Sequence, residues 1–210
     1  MPTVANLLSK PIFKNFRLAS GKSGLNNKVT SAGFFEWEQD MQITSSFAKG
    51  EFVITTLSSF KDDPAAIERS LKLLIGNHVS AIAIKDLYYK ELTDEVAKYS
   101  DEHGVPIMFF TDTYIDEVLY VVKNETLNSL YTSFNEIVLG TLISNDNLDI
   151  LEKENLLRKI NPFFLSGSMI CAFISNSTDT TAISQKSLDL FNNVLLDGGI
   201  DIPDKIGDVE

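Results

Sequence analysis

Six polar residues carry most of the chemistry this sequence offers, and they come as three pairs. Thr55-Thr56, Lys85-Asp86 and Thr111-Asp112 each close an apolar run, namely Phe52-Val53-Ile54, Ala81-Ile82-Ala83-Ile84 and Ile107-Met108-Phe109-Phe110. If those runs are neighbouring parallel strands, the pairs meet at one edge of a sheet and offer hydroxyls, a cation and carboxylates to a small polar ligand. The same residue types also end strands and cap helices where nothing binds. No acid and base are paired in a way that would activate either, so no catalytic residue is assigned. An α/β enzyme acting on a small polar metabolite, with Lys85 or Asp112 as acid or base, is the weakest of the readings.

Other motifs fall short of chemistry. Ala19-Ser20-Gly21-Lys22-Ser23 has the ending of a phosphate-binding loop, but Phe16 stands where that motif needs glycine, and Gly24 with Asn26-Asn27 makes a turn where its helix would begin. Ser166-Gly167-Ser168 lacks the flanking glycines of a nucleophile elbow, and no histidine follows it. His78 and His103 each lie near the end of an expected helix, a place for a dipole partner or a plain surface role, and neither has a second ligand at metal-binding spacing. No metal and no cofactor are expected. The lone cysteine, Cys171 in Met169-Ile170-Cys171-Ala172-Phe173, rules out an internal disulfide and reads as a small buried hydrophobe.

The elements that must position the three pairs follow from periodicity. Gly50-Glu51-Phe52-Val53-Ile54-Thr55-Thr56 reads as a strand, Asp63-Pro64 starts a helix with Ile67, Leu71, Leu74 and Ile75 on one side, and Val79 to Ile84 return as a second strand. Residues 92–103 read as the next helix, which Gly104 closes ahead of a third strand at Val105-Pro106-Ile107. Strands alternating with helices imply a parallel sheet. Before this unit, Thr3 caps a short helix carrying Val4, Leu7 and Leu8. Extended pieces on either side of the Gly21-to-Asn27 turn suggest a small hairpin, and Phe35, Trp37 and Met41 could line a helix.

After Asp112, apolar residues recur at helical spacing from Ile115 through Leu142, as one long helix or two in line, and Asn124-Glu125-Thr126 is the expected break. Helices are also expected over residues 149–160 and 183–196, with one strand at 169–174 between them. The expected fold class is therefore α/β, with a small sheet of three to five largely parallel strands and flanking helices. A mainly helical region with one further strand follows, and the domains divide as 1–125, a regulatory domain, and 126–210, a helical linker with either part of a second, central domain or a dimerisation region.

Composition bounds the partners. The chain has 210 residues, 44% of them hydrophobic, and a formal net charge of −11 from 29 acidic and 18 basic residues. Such a balance repels a phosphate backbone, and the basic residues Lys10, Lys14, Arg17, Lys22 and Lys28 alternate with apolar ones, so no direct nucleic-acid binding is expected. No secretory leader and no apolar run long enough to cross a bilayer are visible, which points to a cytoplasmic protein without membrane contact. The glycosylation triplets at Asn124 and Asn176 then read as cap or loop sequences.

One resemblance runs through these residues. Thr3-Val4 with Leu7-Leu8, Ala19 and Gly21 with Gly24-Leu25 and Val29, the Gly50-to-Thr56 strand, Asp63-Pro64, Val79 to Ile84 and Gly104-Val105-Pro106-Ile107 stand in an order similar to the amino-terminal domain of the purine catabolism regulator-like (PucR) transcription factors. The resemblance covers about residues 1–125, and its most specific part is the Gly-Glu strand ending in Thr-Thr before a proline-started helix. A glycine often follows that Thr-Thr pair in relatives, whereas Leu57-Ser58-Ser59 follows it here. The resemblance implies a regulatory or ligand-sensing module ahead of a carboxyl-terminal helix-turn-helix, through which alone DNA would be reached. No such element is visible here, so the chain is expected to be a fragment of a longer regulator or a shortened relative. A homodimer formed through the helices after Asp112, with a small-molecule effector, is the expected assembly. A purely structural oligomerisation module is the alternative.

Overall fold

Strands β3 (Glu51–Thr55), β4 (Ala81–Lys85) and β5 (Ile107–Phe110) are apolar along nearly their whole length because both of their faces are covered. The computed structural model describes residues 1–163, and the compact unit Met1–Ile160 contains this sheet. Five strands lie in the order β1-β5-β4-β3-β2, where β1 is Arg17–Ser20 and β2 is Ser31–Phe35. β2 to β5 are parallel, and β1 is antiparallel on the β5 edge. The described residues thus have the α/β class and largely parallel sheet that the alternation implies.

Alternate side chains build two cores. One side carries Phe35, Val53, Ile82, Ile84, Ile107 and Phe109 beneath Ile43 of α2 (Asp40–Ser46), Ile67, Leu71, Leu74 and Ile75 of α3 (Pro64–Gly76) and Val96 of α4 (Asp94–His103). The other carries Ala32, Phe52, Ile54, Ala81, Ala83, Met108 and Phe110 beneath Val4 and Leu7 of α1 (Val4–Leu8), Phe13, and Val118 and Val122 of α5 (Ile115–Ser144). Each fully buried Leu, Ile or Phe contributes about 1.5–3 kcal/mol relative to exposure.

Local signals set the element ends. Thr3, Asp63 and Thr93 cap α1, α3 and α4 by accepting backbone N–H bonds, Pro64 opens α3, and Gly104 ends α4 in the left-handed region. Gly50 at φ 84 lets the chain turn into β3, and the Glu51 carboxylate closes that turn by accepting the Ala48 N–H at 3.0 Å. Gly33 has no Cβ to collide with that carboxylate across the strand pair.

Three local expectations are corrected. β1 and β2 form no hairpin and lie at opposite edges, because the segment between them, including a 3-10 turn at Lys22–Asn26, crosses the amino-terminal ends of the strands; Asn27 holds it there by donating to the Ser80 and Gly104 carbonyls at 3.2 and 2.8 Å. Phe35 ends a strand, Trp37 precedes the helix and faces solvent, and α2 buries only Ile43 while its Met41 is exposed. α5 runs unbroken through Asn124-Glu125-Thr126, where the Thr126 hydroxyl donates to the Lys123 carbonyl within the helix. The 149–160 helix is present as α6 (Ile150–Ile160), while the expected strand at 169–174, the helix at 183–196 and Cys171 lie outside the described residues.

Leu74→Ala is expected to cost about 2–5 kcal/mol through the cavity it leaves under α3. Trp37→Ala, at a side chain 68% exposed, should stay within about 0.5 kcal/mol. Urea unfolding of the two variants checks both values.

Candidate functional site

The loops after β3 and β4 lead to α3 and α4 on one side of the sheet, whereas the loop after β5 leads to α5 on the other. Adjacent loops that part in this way open a crevice at the carboxyl ends of the strands, the position where open α/β sheets hold ligands. A cleft of about 390 Å³ lies there, lined by Lys85, Asp86, Leu87 and residues 111–114. The Asp86 N–H donates to the Phe110 carbonyl at 3.1 Å and the Leu87 N–H to the Lys85 carbonyl at 2.8 Å, so both walls are braced by backbone. Asp112 takes φ 56, a strained conformation for a residue with a Cβ, and its carboxylate accepts from the Thr111 hydroxyl at 3.2 Å.

Four of the six residues singled out in the sequence, Lys85, Asp86, Thr111 and Asp112, line this cleft together. Thr55 and Thr56 do not. Thr55 is fully buried, and its hydroxyl accepts the Leu57 N–H at 2.9 Å. Thr56 donates its hydroxyl to Glu36, so this pair is bonded into its own loop and neither member lines the cleft. Convergence on one sheet edge holds for all three pairs, but side-chain direction and local bonding divide them.

Pattern reading missed two residues here. Tyr114 stands at the start of α5 with its ring 5.7 Å from the Lys85 ammonium, which gives the cleft an aromatic wall and a cation–π pair. Its position one residue before an apolar helical run was the only available signal. Glu36, just past β2, is 8% exposed and accepts from the backbone N–H groups of Thr56 and Ser58 at 3.1 and 2.8 Å and from both their hydroxyls. Burial alone pushes the Glu36 carboxyl up, but the hydrogen bonds from Ser58 and Thr56 outweigh it and hold it below the ordinary glutamate value. With four donors on it, this carboxylate is a clamp and not a free base. It secures the turn in which Leu57 takes φ 57 and buries its side chain.

The fold defines an α/β domain with a braced cleft of one cation, two carboxylates, hydroxyls and one aromatic ring at the carboxyl ends of its strands. The family model described as Purine catabolism regulatory protein-like family matches residues 6–125, and the chain belongs to that family. The family's description is that of regulatory proteins. No match to a curated protein was found. No helix among the described residues is long and apolar enough to cross a membrane.

Glu36→Ala is expected to lose about 1–3 kcal/mol by leaving the Thr56 and Ser58 donors unpaired. Because the native carboxyl is lowered, its stabilisation is complete above the ordinary glutamate value of 4.5 and disappears as pH falls through the lower native value. The stability gap between the wild-type chain and Glu36→Gln, followed by denaturant unfolding across that range, should therefore shrink toward acid.

Proposed function

We propose that residues 1–125 are the ligand-sensing domain of a cytoplasmic PucR-like transcription regulator, with the cleft between β4 and β5 as its effector site. The observation that carries this reading is the parting of the β4 and β5 loops, which leaves Lys85, Asp86, Thr111, Asp112 and Tyr114 around one opening in a family of regulators. A small polar molecule with a flat ring suits the cleft: the ring packs on Tyr114, while Lys85 donates and the carboxylates accept. The family's description makes purines and their degradation products the first candidates. Residues 126–210 act as a helical linker and as part of a second, central domain or a dimerisation region. An effector shifts the output by preferring one arrangement of the dimer over another.

The dimer reading rests on α5. Beyond the turns that pack on the sheet, Leu127, Leu130, Tyr131, Phe134 and Ile137 recur at helical spacing and are exposed. Two such stripes from two copies would cover one another. The same stripe favours the second reading, a structural oligomerisation module that answers to no metabolite.

Thermal unfolding of the chain against purines, their degradation products and amino acids is expected to give a saturable rise in Tm. At a hundredfold excess over Kd the gain is about 2.7 kcal/mol. Lys85→Ala should abolish the rise, whereas Thr56→Val should lower Tm without removing it. A screen with no response from any compound favours the structural module.

Light scattering is expected to show a dimer that Leu130→Asp with Phe134→Asp converts to a monomer. A wild-type monomer at all concentrations contradicts the dimer reading.

A further inference from the structure

The opposite ends of the parallel strands carry a second hollow, of about 470 Å³. The loops entering β2, β3, β4 and β5 line it, and Lys28, Lys49, His78 and His103 are its ionisable members. All four are lysine or histidine in a chain with 29 acidic and 18 basic residues. Among the described residues neither lysine forms an ion pair. The two histidines are the only ones in the chain, they stand 25 residues apart in sequence, and the fold brings both to one place.

The hollow is braced as a site must be. His78 takes φ 57, in the left-handed region that a residue with a Cβ adopts at a cost, and its carbonyl accepts the Gly50 N–H at 3.0 Å. The neighbouring Asn77 amide donates to the Ile43 and Phe47 carbonyls, each at 3.1 Å, so the turn that carries His78 is held from two sides. His103 Nδ1 lies 2.8 Å from the Tyr99 carbonyl oxygen. Since that oxygen can only accept, Nδ1 carries the hydrogen and Nε2 is the nitrogen left for another contact. Asn27 donates to the Ser80 and Gly104 carbonyls, which occupies two oxygens that would repel an anion. Ser80, also in the lining, is 1% exposed, and its hydroxyl is the buried side-chain polar atom without a hydrogen-bond partner among the described residues.

We propose that this hollow binds a small molecule through a phosphate group. Lys28 and Lys49 supply the charge, the Thr30 hydroxyl and the His78 ring supply neutral donors around it, and His103 Nε2, with its ring hydrogen on Nδ1, can accept from a protonated phosphate oxygen. Lysine serves phosphate as a point charge, and two lysines match the double negative charge of a phosphate monoester better than the single charge of one carboxylate; no arginine lines the hollow. The competing account is that these cations only complement the carboxyl-terminal dipoles of α3 and α4, which end on this side. That account leaves Lys28 and Lys49 unexplained, since they lie on the loops entering β2 and β3 and in the last turn of neither helix. The site is separate from the Lys85 cleft and stands whether or not that cleft binds an effector.

Histidine-ring NMR of the full chain reads this hollow alone, because both histidines line it. Inorganic phosphate and adenosine monophosphate are expected to move both ring signals saturably, and adenosine and succinate to leave them in place. Lys28→Ala with Lys49→Ala, at exposed positions that keep Tm unchanged, should weaken phosphate binding about tenfold or more. Lys85→Ala should not alter it. Histidine signals that ignore phosphate, phosphate binding undiminished in the double variant, or succinate bound as tightly as phosphate would each overturn the proposal.

Discussion

Burial of β3 and β4 on both faces is the constraint on which the rest of this structure depends. Phe52, Val53 and Ile54, and Ala81 through Ile84, have no exposed surface, so the middle of the sheet holds no polar side chain free to meet water or a ligand. The polar residues are displaced to the two ends of the strands. Because β2 to β5 all run in one direction, every loop that leaves a strand gathers at one end and every loop that enters one gathers at the other. The two clefts are the consequence, one at each end.

The backbone shows the same displacement of tension to the ends. Among the described residues, the non-glycine positions with positive φ are Leu57 and Asp112, just past β3 and β5, and His78, just ahead of β4. Each costs of order 1–3 kcal/mol and persists because its surroundings hold it. For Leu57 the holding is explicit: the side chain is buried, the Thr55 hydroxyl accepts its N–H, and Glu36 binds the residues on both sides. The Thr-Thr ending of the family strand thus serves the turn, which explains how Leu57 can stand where relatives often carry glycine.

α5 joins two environments in one element. Its first turns place Val118 and Val122 in the core, while farther along Leu127, Tyr131 and Ile137 meet solvent. The family match ends at residue 125, inside this helix, so the boundary of the family domain is not a break in the chain. The amino terminus of α5, at Tyr114, is a wall of the Lys85 cleft.

Local physics made much of the fold legible in the sequence. The Thr3 cap, Asp63-Pro64 and Gly104 mark helix ends by backbone bonding within a few residues, and apolar runs of four or five mark strands buried on both faces. Alternation of the two implies a parallel sheet, and the ends of its strands then name Thr55, Thr56, Lys85, Asp86, Thr111 and Asp112, of which the two threonines serve their own loop instead of the cleft. What tertiary structure alone decided was which distant segments meet. The segment after β1 crosses the sheet and places β1 and β2 on opposite edges, although a turn between two extended pieces has the local look of a hairpin. Glu36 turned toward Thr56 and Ser58, and His78 met His103 beside Lys28 and Lys49, through strand register and loop paths that depend on contacts tens of residues apart. Spacing along the chain carries no record of such contacts, because the energy that selects them is the burial of two whole faces and not the preference of any short stretch.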